Sequence, residues 1–385
     1  MDKVELREHK MSNNKHIKVS VIPNHPSGLN NQIFNRNYPL NTAWQGNTHW
    51  MDSNIALYEE CIKHNIHIST KDLLPPEQAD VVLHFDLPQG YNNLLALKNS
   101  APKAKLILFL QESPFLPYWF NKENHSLFDL VLTYNQTLVD NKKYHKIFLP
   151  ISYTPSILAP NNWQDRKKCI VMQSNIYTGV KASRTPLHYL ARLHFFYSQG
   201  WKFSWKDVLS TDRNLLYEQR RRFVKKFYTK YVNSLDVYGR GWEGKSDGWF
   251  YKIFPDRPYP ANSSVYQGEK LELLQKYRFV LAFENYKGDE GYISEKIFDA
   301  LYAGAIPIYL GDKKIDSWVD PRCFVDARKF KSLDSLVDFI HECDECTWNT
   351  MRYYADQYIM SEKIKLFLPY NYTTTIFKAI NYVLS

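Results

Sequence analysis

Between two apolar runs, Phe279–Phe283 and Ala305–Leu310, the chain places Glu284, Asn285, Tyr292, Ser294, Glu295 and Lys296. A soluble fold seldom sets so many charged and hydrogen-bonding groups between two core strands unless something polar binds there. The pattern predicts a buried strand, a Gly-bearing loop, a helix opening near Ser294 and a second strand. Free N–H groups and the positive dipole end at that helix start would seat a phosphate. Lys296 would neutralise the phosphate as a point charge, and Glu295 would take a ribose or sugar hydroxyl. Taken alone, a capped helix with a surface Glu–Lys pair explains Tyr292–Lys296 at least as well. That plainer reading weakens because Glu284, Asn285, Gly288 and Gly291 share the same loop.

Other candidates stand at the ends of apolar runs. Glu112 follows Lys105–Leu110, where a carboxylate can act as general base on a hydroxyl; a Ser-Pro turn starter is the plainer reading. Ser174 and Asn175, then Ser183 and Arg184, follow the run Lys168–Gln173. The planar fork of Arg184 suits a diphosphate, although a lone Arg after a strand is usually a surface residue. The sequence contains no HExxH or Asp-x-Asp motif. Gly239–Gly244 has the glycine spacing of a dinucleotide fingerprint only by including the bulky Trp242 and Glu243, and no helix pattern opens directly after it, so a tight strand exit is the plainer reading. Cys343 and Cys346 form a lone CxxC without the second ligand pair that zinc needs, so no metal site is expected.

These residues need a scaffold, and the rest of the chain reads as one. Strands are expected at His16–Ile22, Ala79–Phe85, Lys105–Leu110, Asp129–Tyr134 and Lys146–Leu149, with a helix at Asp52–His64. Short, mostly apolar runs of this kind suit parallel sheets covered on both faces. Pro150–Trp163, with three prolines, is the candidate linker. A second set follows: strands at Lys168–Gln173, Leu235–Tyr238 and near Cys323–Val325, with helices at Pro186–Ser198, Leu215–Tyr231, Glu269–Tyr277, Ser332–Cys343 and Thr374–Leu384. Asp247–Tyr266 is a Pro- and aromatic-rich excursion. The expected organisation is α/β, with a first domain at 1–155 and a second at 156–385 that includes the closing helices. Ligands of such sheets bind at the carboxyl ends of strands, and by default in the cleft between domains.

At 385 residues, with 44% hydrophobic and 23% charged composition, the chain is globular. Its net charge of +9 admits an anionic partner, yet no nucleic-acid motif accompanies it. The Arg220–Lys226 run is expected as the exposed face of a helix. A basic surface of this kind also leaves peripheral membrane association open. No apolar stretch reaches the roughly 20 residues of a bilayer span. Five cysteines, an odd number, give no disulfide framework, so reduced thiols and a cytoplasmic setting are expected.

The motifs Phe283–Asn285, Gly291–Ala300 and Ala303–Gly311, in this order, resemble the α-1,3/4-fucosyltransferases, glycosyltransferase family 10. Glu112–Pro114, Leu127–Asp129 with Leu132–Tyr134, Phe148–Pro150 and Asp236–Gly241 extend the resemblance to roughly Ile107–Phe330. It implies a GT-B fold of two Rossmann-like domains. It also implies inverting transfer of L-fucose from GDP-β-L-fucose to a glycan hydroxyl, in α-1,3 linkage on GlcNAc or Glc. The acceptor would be an oligosaccharide or lipid-linked glycan of protein glycosylation or surface polysaccharide synthesis. No cofactor is required, and a divalent metal is at most stimulatory. Carried over, Glu112 is the base and Glu295 a donor contact, and a carboxylate such as Glu295 or Glu284 near the sugar would stabilise its growing positive charge. Arg184 and Lys296 meet the diphosphate, and Asn285, Tyr292, Ser174 and Asn175 line the donor. The alternatives are another nucleotide sugar on the same fold, or a catalytically silent glycan-binding relative.

Overall fold

In this computed structural model the described residues are 16–36, 51–87, 90–112, 121–151, 162–175, 197–198, 200, 202, 214–239, 242, 266, 269–288 and 291–385. They build two wholly parallel sheets. The first has six strands: β1 (Ile17–Ile22), β2 (Ile66–Thr70), β3 (Val81–Phe85), β4 (Lys105–Leu110), β5 (Leu130–Thr133) and β6 (Tyr144–Lys146), in the order β2-β1-β3-β4-β5-β6. The second has five: β7 (Lys167–Met172), β8 (Leu235–Tyr238), β9 (Tyr277–Phe283), β10 (Ile306–Leu310) and β11 (Val325–Asp326), in the order β11-β10-β9-β7-β8.

The mostly apolar runs follow from this burial on both faces. Along β9, Phe279, Leu281 and Phe283 enter one core while Val280, between them, enters another. That is the two-residue period of a strand serving two layers at once. Helix α1 (Asp52–Lys63) covers the first sheet with Leu57 and Cys61, and α2 (Tyr91–Ser100) covers its other face with Leu94. Helices α3 (Tyr217–Lys230), α4 (Lys270–Leu274) and α5 (Glu295–Tyr302) pack on the second sheet, as does α6 (Leu333–Glu342).

Several expectations are corrected. Strand β2 was not expected, because Ile-His-Ile-Ser-Thr mixes polar and apolar residues, and α7 (Glu345–Ile359) was not expected either. β6 ends at Lys146, where a strand to Leu149 was expected, and the backbone beyond Ile147 carries no further ladder. The closing helix α8 (Pro369–Leu384) does not stay with the second set. Tyr372, Ile376, Ala379 and Ile380 complete the first core, and the Tyr372 hydroxyl donates to Asn54 Oδ1 on α1 at 2.9 Å. A cut at 155/156 therefore does not separate the two cores, since residues 369–384 belong with the first sheet.

The Arg220–Lys226 run is not a free basic face. Arg220 is buried, Arg221 and Arg222 pair with Glu218, and Lys226 pairs with Asp334 on α6 at 3.0 Å. The five cysteines are free, and four of them are buried. Among the described residues no helix is long and apolar enough to cross a membrane. The expected helix at Pro186–Ser198 and the excursion at Asp247–Tyr266 lie almost wholly outside the described residues.

Candidate active site

Glu284 is the first residue past β9 and is fully buried. Its Oε1 accepts the Ser294 backbone N–H at 2.8 Å, and its Oε2 accepts the Ser294 hydroxyl at 2.7 Å. Lys296 Nζ lies 3.4 Å from the same Oε2, 2.9 Å from Ser294 Oγ and 3.7 Å from Glu295 Oε1. Ser294 is also the N-cap of α5, accepting Lys296 N–H at 3.5 Å. The expected seat of free amides is thus partly taken, because a carboxylate and a hydroxyl already occupy two N-terminal donors. Cationic side chains are what this corner offers an anion.

Burial pushes the Glu284 carboxyl up, with Lys296 opposing. Glu295 behaves in the opposite way. Burial pushes it up, but Lys296 and Lys270 win and hold it down at about 2. Its side chain keeps 42% exposure, so it can remain an anion and still meet a ligand. Lys296 is pulled down by burial and raised overall by Glu295 and Glu284, which keeps it cationic. Lys270 on α4 pairs with the buried Asp299 on α5, completing an alternating network of three cations and three carboxylates around the helix start.

The third cation is Arg220, which the sequence reading left on a surface. It is 3% exposed, and its guanidinium donates to Phe283 O and to Asn285 Oδ1, each at 2.8 Å. Its buried Nε has no hydrogen bond. The overlooked signal is periodicity: Arg220 shares a helix stripe with Phe223, Val224 and Phe227, all buried. Asn285 is fixed by that arginine and by its own carbonyl, which accepts Leu216 N–H at 3.0 Å. Ser174 and Asn175 follow β7, half-buried beside Gln173, whose Nε2 donates to the same Phe283 O at 3.0 Å.

The carboxyl edge of the first sheet meets this corner. Tyr134, just past β5, lies with its ring centroid 5.0 Å from that of Tyr292, and its hydroxyl donates to Glu112 O at 3.1 Å. Gly291 makes the approach possible. It sits at φ +104°, and a side-chain carbon there would collide with the Tyr134 carbonyl oxygen. Its N–H donates to Asp312 Oδ2, past β10, at 2.8 Å. Lys146 on β6 donates to the same Tyr134 carbonyl, and burial draws it down to about 8 with Asp312 opposing. The half-buried phenol of Tyr217, at the start of α3, feels the charges of Arg220, Lys296 and Glu112. Glu112, Asn285, Tyr292, Ser174 and Asn175 therefore stand at strand ends or in the loops beyond them, and Glu295 and Lys296 in the first turn of α5. Arg184 lies outside the described residues. Among the described residues no cluster of His, Cys, Asp and Glu suits a metal ion.

The chain resembles known proteins both in sequence and in fold. Residues 206–370 match the family model described as glycosyltransferase family 10 (fucosyltransferase) C-term. An alpha-(1,3)-fucosyltransferase FucT of Helicobacter pylori is 42% identical over 71 residues, 18% of this chain and 15% of that protein. An alpha-(1,4)-fucosyltransferase of Arabidopsis thaliana is 39% identical over 67 residues, 17% of this chain and 16% of that protein. The aligned stretches thus span only about a sixth of these relatives. In fold the likeness is far wider. A crystal structure of alpha1,3-fucosyltransferase superposes with a TM-score of 0.54 at 16% identity, over 97% of this chain and 92% of that one. Anabaena Alr3699/HepE in complex with UDP-glucose gives a TM-score of 0.52 at 10% identity, over 95% and 100%. The chain has the GT-B fold, and over 206–370 it resembles the family 10 fucosyltransferases.

Proposed function

We propose that this chain is an inverting glycosyltransferase that moves L-fucose from GDP-β-L-fucose to a hydroxyl of a glycan acceptor, in α-1,3 linkage. One observation carries the reading. Glu112, at the carboxyl edge of one sheet, acts on the same phenol, Tyr217, as the cations Arg220 and Lys296 at the edge of the other, where Glu295 stays an anion. Inversion asks for this division: a base on the acceptor side and charge stabilisation on the donor side.

In that reaction Glu112 takes the acceptor hydroxyl proton as its oxygen bonds to the fucosyl carbon. The bond from that carbon to the phosphate oxygen breaks, and its electron pair leaves with GDP. Arg220 and Lys296 meet the diphosphate as it gains charge, with Arg184 the further cation that the family resemblance implies. Glu295 stabilises the oxocarbenium-like sugar, whereas Glu284, with both oxygens engaged, orients Ser294 and Lys296. Asn285, Tyr292, Ser174 and Asn175 shape the donor pocket. This chemistry needs no divalent metal. The acceptor is an oligosaccharide or a lipid-linked glycan met in the cytoplasm, with any membrane contact peripheral.

Thermal shift with GDP, GDP-fucose, UDP and UDP-glucose tests the donor. Stabilisation by the guanosine pair alone is expected. The UDP-glucose complex of Alr3699/HepE, nearly equal in TM-score, favours a second reading, another nucleotide sugar on the same fold. Stabilisation by UDP ligands alone would establish it. Retention of full transferase activity by Glu112→Gln would remove the base assignment.

A further inference from the structure

Beneath Glu112 lies a carboxyl that the proposed reaction does not use. Asp86 follows β3 and is 1% exposed. It is a non-glycine residue at φ +58°, a backbone region that costs energy and persists only where its surroundings fix it. Its own N–H donates to Phe109 O at 2.8 Å. Its Oδ1 accepts the backbone N–H groups of Gln111 at 2.9 Å and Glu112 at 3.2 Å. The buried Oδ2 makes no hydrogen bond. One oxygen thus shapes the turn that presents Glu112, while the other is buried without a hydrogen bond; beyond the two backbone N–H groups, only the Gln111 side chain favours a charge on Asp86.

We infer that Asp86 is a positioning residue for Glu112, a carboxyl that keeps its own proton while Glu112 works as base, so that the acceptor edge carries one negative charge and not two. The inference rests on the transfer reaction proposed above. Two adjacent carboxyls in a buried setting titrate as a pair. Burial, then the charge of Glu112, pushes the Asp86 carboxyl up to about 7, while the N–H groups of Gln111 and Glu112 pull it down. The other ionisable groups around it do not account for a transition near neutrality. His84, on β3, donates its Nδ1–H to Asp86 O at 2.5 Å, and burial holds its ring down at about 4, neutral in the working range. Lys71, past β2, acts on His84 as a fixed positive charge. In the transfer step the proton of Asp86 does not move; only the acceptor proton passes to Glu112.

The test compares the full chain with Asp86→Asn, which mimics the neutral carboxyl and keeps an acceptor for both N–H groups, and with Asp86→Ala, which does not. Unfolding midpoints are measured from pH 5 to 8.5. Because the folded carboxyl is raised, wild type loses stability as pH rises through about 7. The advantage of Asp86→Asn should therefore grow with pH, and a constant difference would overturn the inference without reference to activity. In kcat/KM for the acceptor, wild type should fall on the alkaline side of neutrality and Asp86→Asn should lack that fall. Asp86→Ala should lose about tenfold at every pH from the two orphaned N–H groups. Identical profiles for wild type and Asp86→Asn would leave Asp86 only a turn former and refute the idea. Absence of any shift with GDP-fucose would sink the donor assignment, while the stability series still decides Asp86.

Discussion

Replacing Lys296 by methionine should separate what this lysine does for the fold from what it does for the reaction. Its Nζ sits 3.4 Å from Oε2 of Glu284, a carboxylate with no exposed surface. Removing one partner of a buried pair costs about 3–5 kcal/mol, because the other charge is stranded. Glu284 keeps its two bonds from Ser294, so the low end, about 3 kcal/mol, is expected. In a chain of this size that lowers the unfolding midpoint by about 4 °C. The deficit should widen with pH. The Glu284 carboxyl is raised by burial against the pull of Lys296, so stability held by its protonated form is lost as pH climbs above the carboxylate range. Glu284→Gln combined with Lys296→Met leaves no stranded charge and keeps an acceptor for Ser294 N–H. The double variant should recover at least half of the loss. Activity should not follow: kcat/KM falls about 10²–10³-fold in both variants, since the phosphate cation is absent from each. Circular dichroism melts at pH 5 and 8 and a fucosyl transfer assay read the two quantities. A double variant no more stable than Lys296→Met would refute the stranded-charge argument. One that regained activity would refute the role of Lys296 toward the diphosphate.

The remaining predictions concern the meeting of the two sheet edges. Gly291→Ala places a carbon against the Tyr134 carbonyl at φ +104°, so it should cost about 1–3 kcal/mol in a denaturant titration and depress transfer more than donor binding. Lys146→Met removes an ammonium that burial draws down to about 8. Since the unfolded chain binds that proton more tightly, wild type gains stability relative to the variant as pH rises from 8 toward 10.5, which paired melts across that range will show. Chelation with EDTA should leave the transfer rate within twofold of the untreated enzyme, because Arg220 and Lys296 already supply positive charge at the donor edge; a larger loss would call for a metal in the reaction.

The sequence revealed most where one residue type settles the local structure. The run from Phe279 to Gly311 was legible as strand, loop, helix and strand because wholly apolar runs flank a polar loop with an N-capping serine. That these polar groups share one loop was also legible, but the closure of Glu284 on Ser294 and Lys296 was not, since it spans ten to twelve residues of that loop. Arg220 was hidden by its neighbours: in a row of three arginines the helical angle, not the residue type, decides which one turns inward. Asp86 gave no sign because its partner Glu112 is 26 residues away, across adjacent parallel strands. Strand β2 was missed because its five residues carry polar groups on an edge position. The destination of α8 could not be read at all. An amphipathic stripe states that a helix must be covered, not which of two sheets will cover it.

That last helix bears on how the molecule comes into being. The contact between Tyr372 and Asn54 closes a sequence separation of 318 residues. During synthesis the six strands of the first sheet emerge early, but the apolar surface later sealed by Tyr372, Ile376 and Ile380 stays open until those residues have emerged, more than 200 positions after the sheet's last strand. The second sheet, whose strands lie between residues 167 and 326, is complete before that moment. The N-terminal half is thus made first and finished last. Its half-built face is the one that a chaperone, or another nascent chain, would meet.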